Sequence, residues 1–264
     1  MDSNFENIEI QKDGLVAYIR LNRPEKHNAL NPKMIAELTA AFATIAALPH
    51  IRLIILSGNG PSFCAGADLH YMKEIATYGE AENLEDARKL ARLFIQIDAC
   101  PIPVLAIVHG AVFGGANGLT AACDIVLAHE ETVFAFSEVK LGITPATISP
   151  FVIARCGQAA ARELMLTGRK FTASEAFRFM LVNQIFTDES SKKITDYYIK
   201  QLLSSAPNAL RDCKQLIKLV GQQAENPALL FDETTAMIAR QRSSPEGQEG
   251  LAAFFDKRKP NWIS

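Results

Sequence analysis

The chain has 264 residues, 48% of them apolar, with 27 basic and 29 acidic side chains giving a net charge of −2. That is ample for a buried core, and the interspersed charges leave no basic stripe for nucleic acid or an anionic membrane. No apolar run approaches the length that spans a bilayer. The five cysteines (Cys64, Cys100, Cys123, Cys156, Cys213) show no metal-ligand spacing and read as reduced thiols of a cytoplasmic protein. The five histidines are singletons and suggest no metal site. Met1 to Asn7 is acidic and polar, unlike a mitochondrial transit peptide.

In chain order, Ile8 and Ile10 precede a Lys12-Asp13-Gly14 turn, and Leu15, Ala17, Ile19 and Leu21 alternate on a return strand, the pattern of a hairpin. The polar turn Asn22 to Leu30 follows. Asn31 then Pro32 is a cap followed by a first-turn proline, and Met34, Ile35, Leu38, Ala41, Phe42 and Ile45 give that helix one apolar face ending near Pro49. Ile51 to Leu56 reads as a buried strand. It runs into a glycine-rich loop, Ser57 to Leu69, with Asp68 placed to cap or charge-stabilise a helix. Residues 71 to 100 are helical, with Leu90, Leu93, Phe94 and Ile97 as an apolar stripe; Tyr78 to Asp86 is the most polar stretch and suits a lid.

Residues 104 to 145 repeat the pattern of strand, glycine loop and helix start. Val104 to Val108 is short and β-branched, as a buried strand should be. Gly110 ends it, and Gly114-Gly115 opens a helical segment whose first N–H groups have no intrahelical acceptor. Glycine there serves either close packing or the approach of a negatively charged oxygen. Two further strands, Asp124 to Ala128 and Thr132 to Phe136, lead to Glu138 just before a Gly142/Pro145 turn. Two such loops can aim two backbone N–H groups at one point.

Beyond Pro145 a helix runs from Ser149 to Cys156 and ends at Gly157, and Thr172 with Glu175 forms a capping box. Asn183 to Thr187 suits a short edge strand. From Ser191 the pattern is wholly helical, punctuated by Pro207, Pro227 and Pro245, as expected of an appendage that packs on another subunit.

Five of these stretches, in order, resemble the crotonase (enoyl-CoA hydratase/isomerase) superfamily: Asn22 to Leu30, Phe63 to Leu69, Gly110 to Asp124, Ser137-Glu138 to Pro145, and Phe254 to Lys259. The resemblance implies an α/β fold, a spiral of ββα units forming the catalytic core over residues 1–200, with a helical oligomerisation region over 201–264. It implies a homotrimer or homohexamer. Substrates would be acyl-CoA thioesters, with no separate cofactor, since coenzyme A belongs to the substrate.

By position in the motifs, Ala67 and Gly115 would supply the two N–H groups of an oxyanion hole, and Glu138 the acid–base carboxylate. Lys26 and His27 would hold the adenine and phosphates of coenzyme A, with Ala29, Ala65, Asp68, Leu69 and Gly114 along the same site. Phe254 and Lys257 match residues that reach a coenzyme A, often that of a neighbouring subunit.

One position departs from the pattern. Two-acid hydratases carry a Glu where this chain has Gly118, which weakens a fast short-chain hydratase and is expected to leave room for a bulkier acyl group or an acid from elsewhere. The resemblance, closest in look to bacterial methylglutaconyl-CoA hydratases of leucine breakdown, implies hydration of a branched or substituted enoyl-CoA. The alternatives are a double-bond isomerase working with one Glu, and a non-catalytic member that binds coenzyme A or RNA.

Overall fold

The structure, a computed structural model, describes residues 5–222 and 227–263; the first four residues of the acidic N-terminal stretch lie outside it. The described residues form two compact units, one comprising the chain up to Cys100 with Val104–Ile194, the other Pro101–Pro103 with the chain from Thr195.

The first unit holds nine strands in two sheets. The larger has the order β1 (Ile8–Asp13), β2 (Val16–Leu21), β3 (Leu53–Gly58), β4 (Val104–Val108), β6 (Ile125–His129), β9 (Gln184–Phe186). Only the β1–β2 hairpin is antiparallel; every later pair is parallel. Its turn is Gly14-Leu15, with Gly14 at φ +55, so Leu15 sits in the turn rather than on the return strand. The smaller sheet orders β5 (Ala111–Phe113), β7 (Val133–Ala135) and β8 (Lys170–Thr172).

The strands of the parallel core are buried on both faces, so they read as continuous apolar runs rather than alternating ones. Between β2 and β3 lies α1 (Pro32–Ala46), capped by the Asn31 side chain, which accepts from the Met34 N–H at 2.8 Å. All six apolar positions expected to face the core are buried. β3 is followed by α2 (Leu69–Ile75) and α3 (Glu80–Asp98), and the α3 stripe of Leu93, Phe94 and Ile97 is buried. α4 (Gly115–Ala121) follows β5, and α5 (Ser149–Thr167) is broken at Gly157, whose φ of +73 and ψ of 168 are not helical. α6 (Ala173–Arg178) begins with the expected Thr172/Glu175 capping box.

From Thr195 the described part of the second unit is mainly helical. α7 (Asp188–Ser204), which begins in the first unit, leads to α8 (Pro207–Gln222), α9 (Pro227–Ser243) and α10 (Pro245–Phe255), each of the last three starting at a proline. Glu246 reaches back to the start of α8, accepting from the Asn208 and Ala209 N–H groups at 3.1 and 2.8 Å. A cavity of about 660 Å³ lies within this unit, lined by Met237, Leu251 and Trp262 among others and by no residue of the candidate site. Among the described residues no helix is long and apolar enough to cross a membrane, and no cluster of His, Cys, Asp and Glu is placed to hold a metal ion.

Candidate active site

Three loops of the first unit are laced together by backbone hydrogen bonds. The 57–68 loop runs alongside β5: Phe63 N–H donates to the His109 carbonyl (2.8 Å), Cys64 N–H to Ala111 (3.0 Å), and Phe113 N–H returns to Cys64 (3.2 Å). The loops pass so closely that a β-carbon on Gly110 would fall 2.1 Å from the Pro61 oxygen, and one on Gly66, at φ +97, 3.0 Å from the Phe113 oxygen. Glycine is required at both. The 22–30 turn joins from the other side: Leu30 N–H donates to Gly66 (2.7 Å), Asp68 N–H to Leu30 (2.8 Å) and Ala65 N–H to His27 (2.9 Å).

Among the N–H groups that this lacing leaves without an acceptor are those of Ala67 and Gly115. Ala67 sits in a bridge with Leu30, yet among the described residues its N–H has no acceptor. Gly115 is the first residue of α4, and its N–H has none either. Leu30 connects the two, since a β-carbon on Gly115 would lie 3.2 Å from Leu30 Cδ1. Ala67 is exposed and Gly115 half-buried.

The smaller sheet brings the carboxylate. β5 and β7 pair in parallel with Phe113 opposite Ala135, and Gly114 N–H donates to the Ala135 carbonyl at 3.0 Å. Glu138 follows three residues later in a 3-10 turn, Ser137–Leu141. A β-carbon on Gly114 would stand 3.4 Å from Glu138 Oε1. The other oxygen, Oε2, is buried and has no hydrogen-bond partner. Burial pushes the Glu138 carboxyl above the ordinary glutamate range, only partly offset by a backbone hydrogen bond. A carboxylate with a raised pKa and an unpartnered oxygen, beside the turn that leads into the Gly115 N–H, can accept a proton and return it.

The chain matches the enoyl-CoA hydratase/isomerase family model over residues 11–264. A solved enoyl-CoA hydratase from Shewanella pealeana is 39% identical, with a TM-score of 0.95, covering 99% of this chain and 97% of that one. A crotonyl-CoA hydratase of Syntrophomonas wolfei is 31% identical over 268 residues, 98% of this chain and 99% of that protein. An enoyl-CoA isomerase/hydratase of Mycosarcoma maydis is 33% identical over 258 residues, 93% and 91% of the two. This chain belongs to the enoyl-CoA hydratase/isomerase family.

Several positions that the sequence resemblance would assign to a coenzyme A site are placed as follows. Lys26 and His27 are exposed at the tip of the 22–30 turn, with His27 Nδ1 3.1 Å from Ser62 Oγ. Ala65 is half-buried, Ala29 is buried, and Leu69 is 77% exposed. Asp68 is different, because its oxygens are already committed: Oδ1 caps α2 through the His70 N–H (2.8 Å) and Oδ2 pairs with Arg23 Nη2 (2.9 Å). Burial works to raise its pKa, but the hydrogen bonds from His70 and Arg23 outweigh it and the net shift is downward. Phe254 and Lys257 belong to the second unit, Phe254 77% exposed at the end of α10 and Lys257 just beyond it at φ +54.

The family's second acid position gives a correction. Gly118 does not leave space. A β-carbon there would lie 2.4 Å from Ile148 Cγ2 and 2.6 Å from Phe94 Cζ, and both side chains are fully buried. The volume that a glutamate would occupy is filled by a phenylalanine ring and an isoleucine, so neither a bulky acyl group nor another acid fits at that point.

Sequence reasoning also missed two asparagines. Asn28, wholly buried at φ +54, accepts from the Arg23 N–H (2.7 Å) and donates to the Asn59 and Ser62 carbonyls (2.8 Å each). Asn117 donates to the Ala135 carbonyl (2.9 Å), and lies 3.2 and 3.3 Å from those of Val112 and Gly114. They staple the donor loops from behind. Asparagine tolerates a left-handed backbone, which is the one signal in the sequence for Asn28.

Proposed function

We propose that this protein hydrates the C2=C3 bond of an enoyl-CoA, with Glu138 as the acid–base and the Ala67 and Gly115 N–H groups holding the thioester oxygen. The observation that carries this is Glu138 itself, whose Oε2 is buried without a hydrogen-bond partner while its Oε1 lies against Gly114. Glu138 takes a proton from water as the water oxygen bonds to C3. The C2=C3 electron pair moves into the thioester, whose oxygen becomes negative between the two donors. Glu138 then returns its proton to C2 on the same face. Each N–H donor contributes about 3 kcal/mol to the transition state in such a hole.

With Gly118 sealed, one carboxylate does both proton transfers. We further infer a branched or substituted acyl group, methylglutaconyl-CoA-like, supported by the resemblance of the 115–119, 136–150 and 246–251 stretches to hydratases of that kind. The coenzyme A end would lie along Lys26 and His27, while Phe254 and Lys257 would reach a coenzyme A molecule, as in family members where it is the one bound to a neighbouring subunit. Free cysteines, three of them buried, suit a cytoplasmic enzyme, and the helical second unit suits a trimer or hexamer.

A single carboxylate also supports a second reading, isomerisation, in which Glu138 moves one proton between C2 and C4. Absorbance of the conjugated enoyl thioester separates the two. Hydration of an α,β-enoyl-CoA removes the band, whereas isomerisation of a β,γ-enoyl-CoA creates it. Glu138→Gln should lower the operative rate at least about a hundredfold. A variant retaining a tenth of the wild-type rate would overturn the assignment of Glu138.

A further inference from the structure

We propose that a hydrogen bond between Tyr71 and Asp86 latches α2 in place and so fixes the Ala67 N–H, making both side chains positioning residues for the oxyanion hole. The inference rests on the reading of Ala67 as a donor. Ala67 and the cap residue Asp68 lead directly into α2, so any swing of α2 is transmitted to that N–H. With seven residues, α2 is too short to be stable alone.

Two anchors hold it. At its start Asp68 ties it to Arg23. Along its body Tyr71 is its one buried side chain, 8% exposed, and the phenol O–H donates to Asp86 Oδ2 in the second turn of α3. The rest of α2 has little purchase on the core: Leu69, His70, Lys73 and Glu74 are exposed, and Met72 and Ile75 are only half-buried. α3, by contrast, is rooted through Leu93, Phe94 and Ile97. Asp86 thus transfers the rigidity of α3 to an otherwise weakly held helix. Burial, reinforced by the Asp86 hydrogen bond, pushes the phenol pKa up, so Tyr71 keeps the proton that the bond needs. The latch lies across the polar stretch whose composition suits a lid, and it fastens that stretch to the donor loop.

An oxyanion donor works only as well as it is preorganised, and a displacement of about 1 Å can cost a hundredfold in rate. The test compares Tyr71→Phe, Asp86→Ala, their double variant and Asp86→Asn in the full-length protein. Tyr71→Phe keeps the ring and so the packing; Asp86→Asn keeps an acceptor oxygen.

Amide hydrogen exchange should quicken at least about tenfold over residues 69–75 in the first three variants, stay slow over β3 and β4, and be largely restored in Asp86→Asn. The maximal rate should fall about tenfold with the Michaelis constant nearly unchanged, and the double variant should be no worse than either single one. Acetoacetyl-CoA, whose enolate carries charge on the thioester oxygen, should bind correspondingly more weakly, while free coenzyme A should bind as before.

Unchanged exchange in α2, additive losses in the double variant, or fast exchange with full activity and undiminished acetoacetyl-CoA binding would each overturn the latch. Glu138→Gln run alongside separates the failures. If it is inactive while the latch variants are fully active, the latch alone is wrong. If it is active, the reading of the site falls, while exchange still reports whether Tyr71 and Asp86 hold α2.

Discussion

Glu138 Oε1 lies 3.4 Å from the point where Gly114 would carry a β-carbon, and Gly114 itself has φ +51 and ψ −122. The absent side chain therefore serves two ends at once. It permits a backbone that other residues resist, and it lets the carboxylate lie against the turn that presents the Gly115 N–H. The proposed acid–base carboxylate thus packs against the turn that leads into the proposed oxyanion donor Gly115, at van der Waals distance from where a Gly114 β-carbon would stand.

Gly114→Ala should therefore damage activity far more than stability. The left-handed backbone costs about 1–2 kcal/mol with a β-carbon present, in the folding balance. The added methyl would stand at van der Waals contact with Glu138 Oε1, and relief of the backbone strain would rotate the Gly115 N–H, so turnover should drop by more than about a hundredfold. Melting temperature and steady-state kinetics measured on one preparation distinguish the effects. A loss of activity no greater than the loss of folded protein would show that the contact with Glu138 has no catalytic consequence.

Glu138 also makes stability depend on pH in a set direction. Its folded pKa is raised by burial above the ordinary 4.5, so the folded state holds the proton more tightly than the unfolded chain. Its contribution is complete below the unfolded pKa and is lost as pH rises through the folded one. Glu138→Gln should thus melt higher than the wild type at pH 7, with the difference vanishing near pH 4. The acid limb of the wild-type activity profile should correspondingly sit above the ordinary glutamate range. Identical melting curves at pH 7 would mean that the carboxylate is solvated in solution.

Much of this was legible in the residues. The strand Val104–Val108, the Asn31 cap, the Thr172/Glu175 box and the proline-started helices all carry local signals, because a cap or a buried β-branched run is decided by adjacent residues. β5 and β8 are three residues each and owe their existence to partners far along the chain, so no local pattern marks them. Gly118 failed for a related reason. A glycine in sequence looks like room, but whether the room is empty depends on Phe94 and Ile148, 24 residues before it and 30 after. Glu138 was legible as a residue, while its bare Oε2 and its contact with Gly114 are products of the β5–β7 pairing.

Lys257→Ala addresses the remote end of the proposed substrate. If this side chain meets coenzyme A, it does so equally in ground and transition states, so the Michaelis constant should rise several-fold with the maximal rate little changed. A pantetheine thioester lacking the nucleotide should be processed equally well by wild type and variant. A fall in maximal rate on both substrates would remove Lys257 from the binding site.

The sealed Gly118 position supplies the most stringent test, because it opposes two expectations about the same residue. Were the site open, Gly118→Glu would add a second acid and speed hydration of short straight-chain substrates. The structure predicts the reverse. Even Gly118→Ala forces a methyl to within 2.4 Å of Ile148 and 2.6 Å of Phe94, and overpacking of this kind costs about 1–3 kcal/mol. Gly118→Glu adds a carboxylate that must be desolvated among apolar side chains, so it should destabilise further and lose activity on crotonyl-CoA and methylglutaconyl-CoA alike. Making room should shrink the penalty. Phe94→Ala alone creates a cavity and costs about 3–5 kcal/mol, but in that background Gly118→Ala should cost less than it does alone, because the Phe94 clash is gone and Ile148, still 2.4 Å from the added methyl, can shift toward the void. Denaturant unfolding of the two single variants and the double variant gives the coupling directly. Additive losses would show that Phe94 does not occupy the Gly118 pocket in solution, and a gain of crotonyl-CoA hydration in Gly118→Glu alone would restore the vacant-site reading.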